Sequence, residues 1–223
     1  MCGRFTLTVS ARVLGELFDV PEVLQLKPRY NIAPTQTVAI VRQAADGPRE
    51  MALVRWGLIP FWAKDQAIGA RMINARGETV ASKPAFRSSV KQRRCLIPAD
   101  GFYEWQKSGV GTQPFLIRFA DRRVFAFAGL WDRWRPTEDA QEIVSCTIIT
   151  TTPNDLVREL HDRMPVILPP AVFEEWLRPE PLPEPRLEEL LAPCADGEME
   201  AFAVSRRVNS PANDDPSCVD PLP

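Results

Sequence analysis

Four residues spread along the 223-residue chain are of the types that do covalent and proton-transfer chemistry: Cys2, Asn74, Glu104 and the single histidine, His161. Cys2 stands directly behind the start methionine in "MCGRF". A start methionine followed by so small a residue is normally trimmed, so Met1 is expected to be removed and Cys2 to become the first residue. A terminal cysteine carries a thiol next to an α-amine whose pKa is about 8, so part of the amine is neutral at physiological pH. Such an amine condenses with an aldehyde to a Schiff base, and the neighbouring thiol can then close a five-membered thiazolidine ring. The competing reading of Cys2 is a small buried residue without chemistry.

Three other polar stretches accompany it. "INARGET" sets Asn74, Arg76 and Glu78 behind an apolar, strand-like run, where the sequence predicts a helix start whose backbone N–H groups favour anions. Asn74 reads equally well there as a plain N-cap. "PADGFYEW" places Asp100 and Glu104 among Phe102, Tyr103 and Trp105, which should keep them half buried. A carboxylate so placed is either paired structurally or has a raised pKa suited to acid–base work. "ELHDRMPVIL" puts His161 between a helix and an apolar strand, with Asp162 and Arg163 beside it. A lone histidine and a neighbouring ion pair are commonly structural, yet titration near neutral pH also suits a proton shuttle.

These residue types fit a cysteine peptidase as well as an aldehyde-trapping amine. "RYNIAP", "RWGLIPFW", "NAR" and "HDR" combine Arg or Asn with aromatics or proline, the mixture expected of a groove that grips phosphates and stacks on bases. Arg93, Arg94, Arg206 and Arg207 lie outside these motifs and read as a solvated face.

The elements that must position these groups are mostly strands. Val13, Leu14, Leu17 and Phe18 follow helical spacing after Ser10, giving one early helix. "TVAIVR", "MALVRWGLIP", "RCLIPADGFYEW", "PFLIRF", "VFAFAGLW", "EIVSCTIIT", "PVIL" and "EAFAVS" read as short strands bounded by Pro, Gly, Asn and Asp. Helices are predicted in "ARGETVASKPAF", "NDLVRELH", "PAVFEEWL" and "PRLEELLA". The expectation is an α+β domain around a curved, barrel-like mixed or antiparallel sheet flanked by short helices. It covers residues 1–213, with an extended C-terminal tail over 214–223.

Hydrophobic residues at 45% and charged residues at 25% match an average globular chain, and a net charge of -2 leaves nucleic-acid binding to local arginines. No apolar run reaches the roughly 18–20 residues that span a bilayer, and there is no signal peptide pattern. The five cysteines form no Cys-x-x-Cys pair and no zinc-like cluster with His161. Neither a metal nor a cofactor is expected, and no phosphate-loop or dinucleotide fingerprint appears. An odd, scattered cysteine set points to free thiols in the cytoplasm, with Cys95 and Cys146 as small core residues.

Taken together, "MCGRF", "PRYNIAP", "RWGLIPFW", "NARGET", "PADGFYEW", "FAGLWD", "CTIITTTPN", "HDRMPVIL" and "VSRRVN" resemble, in order and spacing, the SRAP (SOS response-associated peptidase) family. The resemblance implies the α+β SRAP fold and a protein that shields abasic sites in single-stranded DNA. Its processed N-terminal cysteine would form a thiazolidine DNA–protein crosslink with the ring-opened sugar, with AP lyase activity as a side reaction. In this resemblance Cys2 supplies amine and thiol, Asn74 positions the amine and the opened sugar, Glu104 assists imine formation, and His161 moves a proton at the sugar. Arg4, Arg76 and Arg163 fall where the family contacts phosphates, and Asn31 and Thr150 are polar contacts nearby. Pro34 and Trp62 match positions that pack against bases, with Phe61 a local departure. The partner implied is single-stranded DNA, bound by a monomer, with no membrane. Two rival readings stand beside it: an N-terminal-nucleophile cysteine peptidase or amidase, and a non-covalent single-strand binding module.

Overall fold

The computed structural model describes residues 2–44, 47–109, 111–195 and 197–223. Met1, whose removal the sequence leads one to expect, lies outside the described residues. The strands in chain order are β1 (Phe5–Leu7), β2 (Arg29–Ile32), β3 (Thr37–Gln43), β4 (Arg49–Trp56), β5 (Asn74–Arg76), β6 (Arg94–Ala99) and β7 (Gly101–Ser108). They continue with β8 (Gly111–Phe119), β9 (Phe125–Trp134), β10 (Ile143–Thr151), β11 (Met164–Pro165), β12 (Ile167–Leu168) and β13 (Met199–Ala203). Short helices α1 (Ala11–Phe18), α2 (Ser89–Gln92), α3 (Asp155–Arg158), α4 (Phe173–Leu177) and α5 (Glu184–Leu190) flank them.

The pairings β10–β4, β4–β3, β3–β6, β6–β9 and β9–β10 close on themselves, and only β10–β4 among them is parallel. That ring is the barrel, and β5, β11 and β12 hang from its rim. A second sheet, ordered β13-β8-β7-β1-β2, packs against it. Aromatic rings join the two: Phe5 lies 5.2 Å from Trp56 and 5.7 Å from Phe127, edge-on in both cases. The α+β, barrel-centred architecture is the one the strand pattern predicts.

Local details depart from the sequence reading where pairing is long-range. "RCLIPADGFYEW" is not one strand; it crosses from β6 in the barrel to β7 in the second sheet. Asp100 sits at the crossing and is structural, accepting from the backbone N–H and the hydroxyl of Thr8, both at 2.6 Å. "ARGETVASKPAF" is not a helix either. Its start is β5, laid parallel on β10, followed by a single 3-10 turn over Gly77–Thr79. "MALVRWGLIP" ends as a strand at Trp56 because Gly57 has φ +125, and a Cβ there would sit 2.6 Å from the Gly69 carbonyl oxygen. Arg94, expected on a solvated face, is 3% exposed and donates to the carbonyls of Trp176 at 2.6 Å and Val90 at 2.8 Å.

The C-terminal segment is tied down. Asp214 accepts the N–H groups of Tyr30 at 2.6 Å and Asn31 at 2.9 Å, Cys218 is buried, and Pro221 bridges to Val204.

Candidate active site around Cys2

The register of β1 on β7 brings the N-terminus to Glu104. Phe5 pairs with Phe102, and the Tyr103 N–H donates to the Arg4 carbonyl at 2.9 Å. Carrying that antiparallel register back sets Gly3 opposite Glu104, with Cys2 next in line. Asn74 arrives from the barrel, where β5 pairs with β10 as Asn74 to Ile148. The Trp56 indole pins the preceding residue by donating to the Ile73 carbonyl at 2.9 Å. From there the Asn74 side-chain amide donates to the Cys2 carbonyl at 2.9 Å. Asn74 Oδ1 is buried and, among the described residues, accepts nothing. A buried acceptor without a donor is costly, and is the kind of exception that marks a functional position.

Cys2 is fully buried. Burial pushes its thiol up, and the Glu104 carboxylate adds to the shift. The Arg4 backbone N–H, directed at the sulfur, lowers it only in part. At neutral pH this is a protonated thiol rather than a thiolate. Cys95 and Cys146 are equally buried and also pushed up, so burial alone does not mark Cys2 out; the groups around it do.

Glu104 is 2% exposed, and burial raises its carboxyl from the ordinary 4.5 to about 7. The charge of Asp162 raises it further, which puts Glu104 in the field of the His161 turn. Gln106, two residues along the same face of β7, ties that turn down by donating to the Glu159 carbonyl at 3.0 Å.

His161 follows α3, whose cap Asn154 accepts the Val157 N–H at 3.0 Å. The His161 N–H continues the turn to the Val157 carbonyl at 2.8 Å. Its ring Nδ1 accepts the Arg163 backbone N–H at 3.0 Å, which leaves the hydrogen of the neutral ring on Nε2. Asp162, 2.8 Å from the same nitrogen, becomes a charge partner only when the ring is protonated. Burial lowers the histidine, so the neutral ring prevails.

The remaining expected residues fall into two groups. Arg163 forms a two-pronged pair with the Glu78 carboxylate and donates to the Thr150 carbonyl at 2.7 Å. Thr150 is fully buried and stands opposite Arg76 in the β10–β5 pairing. Arg76 is exposed, and its side chain makes no hydrogen bond or salt bridge among the described residues. Trp62 is 47% exposed, and Pro34 is half-buried at the turn where the Thr35 N–H reaches the Trp56 carbonyl at 2.8 Å.

Arg4 and Asn31 are turned inward instead. Arg4 Nη1 donates to Asn31 Oδ1 at 2.8 Å and to the Val208 carbonyl at 2.6 Å, with its guanidinium 5.8 Å from the Trp105 ring. Asn31 is fully buried, and its amide donates to the carbonyls of Val208, Ser210 and Asn213 at 3.1, 3.0 and 2.6 Å. For Asn31 to touch a strand, the C-terminal segment would have to move.

Gln106 carries no motif of its own and is signalled only by the period-two spacing from Glu104. Trp105, the last residue of "PADGFYEW", donates its indole N–H to Asn209 Oδ1 at 2.8 Å. Among the described residues no group of three or more His, Cys, Asp or Glu is placed to hold a metal ion, and no helix is long and apolar enough to cross a membrane.

The sequence model of the SOS response associated peptidase (SRAP) family matches residues 1–211. The chain is similar to "Abasic site processing protein YoqW" of Bacillus subtilis (strain 168), 43% identical over 99% of both chains. It is similar also to "Abasic site processing protein HMCES" of Gallus gallus, 32% identical over all of this chain and 78% of that one. A crystal structure of a protein from Bacteroides thetaiotaomicron superposes with a TM-score of 0.88 at 29% identity, covering 99% of this chain and 100% of that one.

Proposed function

Because the chain belongs to the SRAP family, we propose that it processes abasic sites in single-stranded DNA by trapping the opened sugar covalently on Cys2. Removal of Met1 frees the Cys2 α-amine. The amine attacks the aldehyde of the ring-opened sugar, and loss of one water gives an imine. The Cys2 sulfur then adds to the imine carbon, its proton passing to nitrogen, and the thiazolidine closes with no further loss. At the imine stage, removal of the proton on the carbon beside the imine carbon forms a C=C bond and expels the phosphate from the next carbon, which breaks the strand and supplies an AP lyase side reaction.

One observation carries this reading: the site grips the backbone of residue 2 rather than activating its thiol. Asn74 holds the Cys2 carbonyl at 2.9 Å and keeps Oδ1 in reserve, a ready acceptor for an amine hydrogen on the same residue. An acyl-transferring cysteine needs a thiolate, whereas burial and Glu104 keep this thiol protonated. In the thiazolidine route the amine reacts first and the sulfur needs only to be near, so a protonated thiol is no obstacle.

Glu104, held at about 7, exists in both protonation states at neutral pH and serves as acid for water loss and base for the thiol proton. His161, neutral with Nε2–H, moves the proton at the sugar hydroxyl. Arg76 and Arg163 hold phosphates, Thr150 acting through Arg163, while Pro34 and Trp62 pack against bases on either side of the missing one. Arg4 keeps the C-terminal segment beside β1 through the Val208 carbonyl. The protein works as a monomer in the cytoplasm, on DNA.

The test is a denaturing gel with an abasic oligonucleotide, paired with intact-mass spectrometry of the protein before and after exposure. A heat-stable adduct from protein lacking Met1 is expected, together with its loss in Cys2→Ala. An undiminished adduct in Cys2→Ala would sink the mechanism.

A further inference from the structure

Beside Trp62 lies a recess that the mechanism does not use. It encloses about 310 Å³ between Phe61, Ser88, Arg93, Asp132 and Arg133. The turn at 60–63 is pinned from below: Asp132, 3% exposed, accepts the Phe61 N–H at 3.1 Å, and the Trp134 indole donates to the Ala63 carbonyl at 2.7 Å. A turn fixed in this way leaves the Phe61 ring 59% exposed, the most exposed large hydrophobic side chain among the described residues.

The cationic side of the recess is also pre-set. Arg93 lies 3.2 Å from the Asp132 carboxylate and donates to Ser88 Oγ at 3.1 Å. Arg133 is 55% exposed, 5.3 Å from the Trp131 ring and 4.0 Å from Glu142. Two arginines against one aspartate leave the lining net positive. An exposed aromatic ring next to guanidinium groups is the combination that stacks a base and holds its phosphate.

The sheet register places the recess relative to Cys2. On β10, Ser145 pairs with Asp132 and Ile148 pairs with Asn74, so the two levels are three residues apart. At about 3.3 Å per residue that is about 10 Å along the barrel wall. Trp62, next to Phe61, donates to the Pro84 carbonyl at 3.4 Å.

We propose that this recess is a further nucleotide subsite, in which the base beyond the one packed by Trp62 stacks on Phe61 while Arg93 and Arg133 hold its phosphate. The subsite rests on the reading of the protein as a single-strand binder and extends that groove beyond the lesion and its immediate neighbours. Its consequence is a preference for strands that continue past the lesion on one side only.

Fluorescence anisotropy with lesion-free oligonucleotides, lengthened one nucleotide at a time on the 5′ or the 3′ side of a fixed core, tests it. Adduct formation on the abasic version of the core is followed in parallel. One series should tighten by about tenfold at a defined length. Phe61→Ala should erase that step, Phe61→Trp should retain it, and Arg133→Gln should reduce it. No step in the wild type, or a step that survives Phe61→Ala, overturns the subsite even if adducts still form. A wild type that neither binds strands nor forms adducts overturns the underlying reading as well.

Discussion

Two polar networks meet at the first strand, and they are built to opposite specifications. On one side Arg4 and Asn31 give their hydrogens to Val208, Ser210 and Asn213, fastening the C-terminal segment to β1 and β2. On the other side Asn74 keeps a buried acceptor without a donor among the described residues, Glu104 is held near neutrality by burial, and His161 is pushed down. Both networks are partly buried and both contain asparagine. The one that gives its hydrogens to backbone carbonyls behaves as architecture, whereas the one with shifted acid and base groups holds the protonation states that a reaction uses.

The largest test of that contrast is Glu104→Gln. Removing an acid–base group in contact with the reacting atoms should slow adduct formation by about 10²–10⁴-fold. In the wild type the rate should follow a group titrating near 7, and that dependence should vanish in the variant. Stability should move the other way. The folded-state carboxyl is raised above its ordinary 4.5, so folding favours the protonated form. The wild type therefore loses stability as pH climbs from the ordinary carboxylate range through about 7. Gln lacks that loss, so at pH 8 the variant should be more stable by about 3 kcal/mol in urea melts, with no difference below pH 4. A variant that is slower and less stable at pH 8 would place Glu104 with the architectural network.

Asn31→Ala attacks the other network and should produce the reverse pattern. It removes the amide shared by the Val208, Ser210 and Asn213 carbonyls and the acceptor of Arg4, leaving Val208 to Arg4 alone, at a cost of about 1–3 kcal/mol. Adduct formation by the folded fraction should fall much less than in Glu104→Gln. Urea melts with adduct rates taken below the transition separate the two effects. A variant of unchanged stability that fails to bind single strands would instead give Asn31 a direct DNA role.

The contrast also explains what could be read from the chain alone. The reactive residue types announce themselves: a second-position cysteine, a carboxylate among aromatics and a lone histidine can be picked out one by one. So can the strand-rich pattern, because alternation and turn residues are local. The architectural role of Arg4 and Asn31 is not local, since Asn31 finds Val208 across 177 residues of sequence. The same holds for "ARGETVASKPAF", which has a helix-like composition but whose first residues are claimed by β10. Tertiary pairing overrides propensity there, and it turns Asn74 from a helix cap into a strand residue facing Cys2.

The smallest predicted effect probes the border between the networks. Arg163 is as firmly bonded as Arg4, but its main partner is a carboxylate rather than a carbonyl. Glu78 is about half exposed, so the pair contributes little to stability, roughly 0–1 kcal/mol, and a phosphate can replace the carboxylate without stranding either group. Glu78→Gln should therefore tighten single-strand binding by up to about fivefold. The salt dependence should steepen by about 0.7 in log–log slope, the amount expected when one more arginine is free to meet a phosphate. If Glu78→Gln weakens binding instead, the carboxylate orients Arg163 rather than competing with the strand for it. Arg163 would then belong with Arg4, on the architectural side.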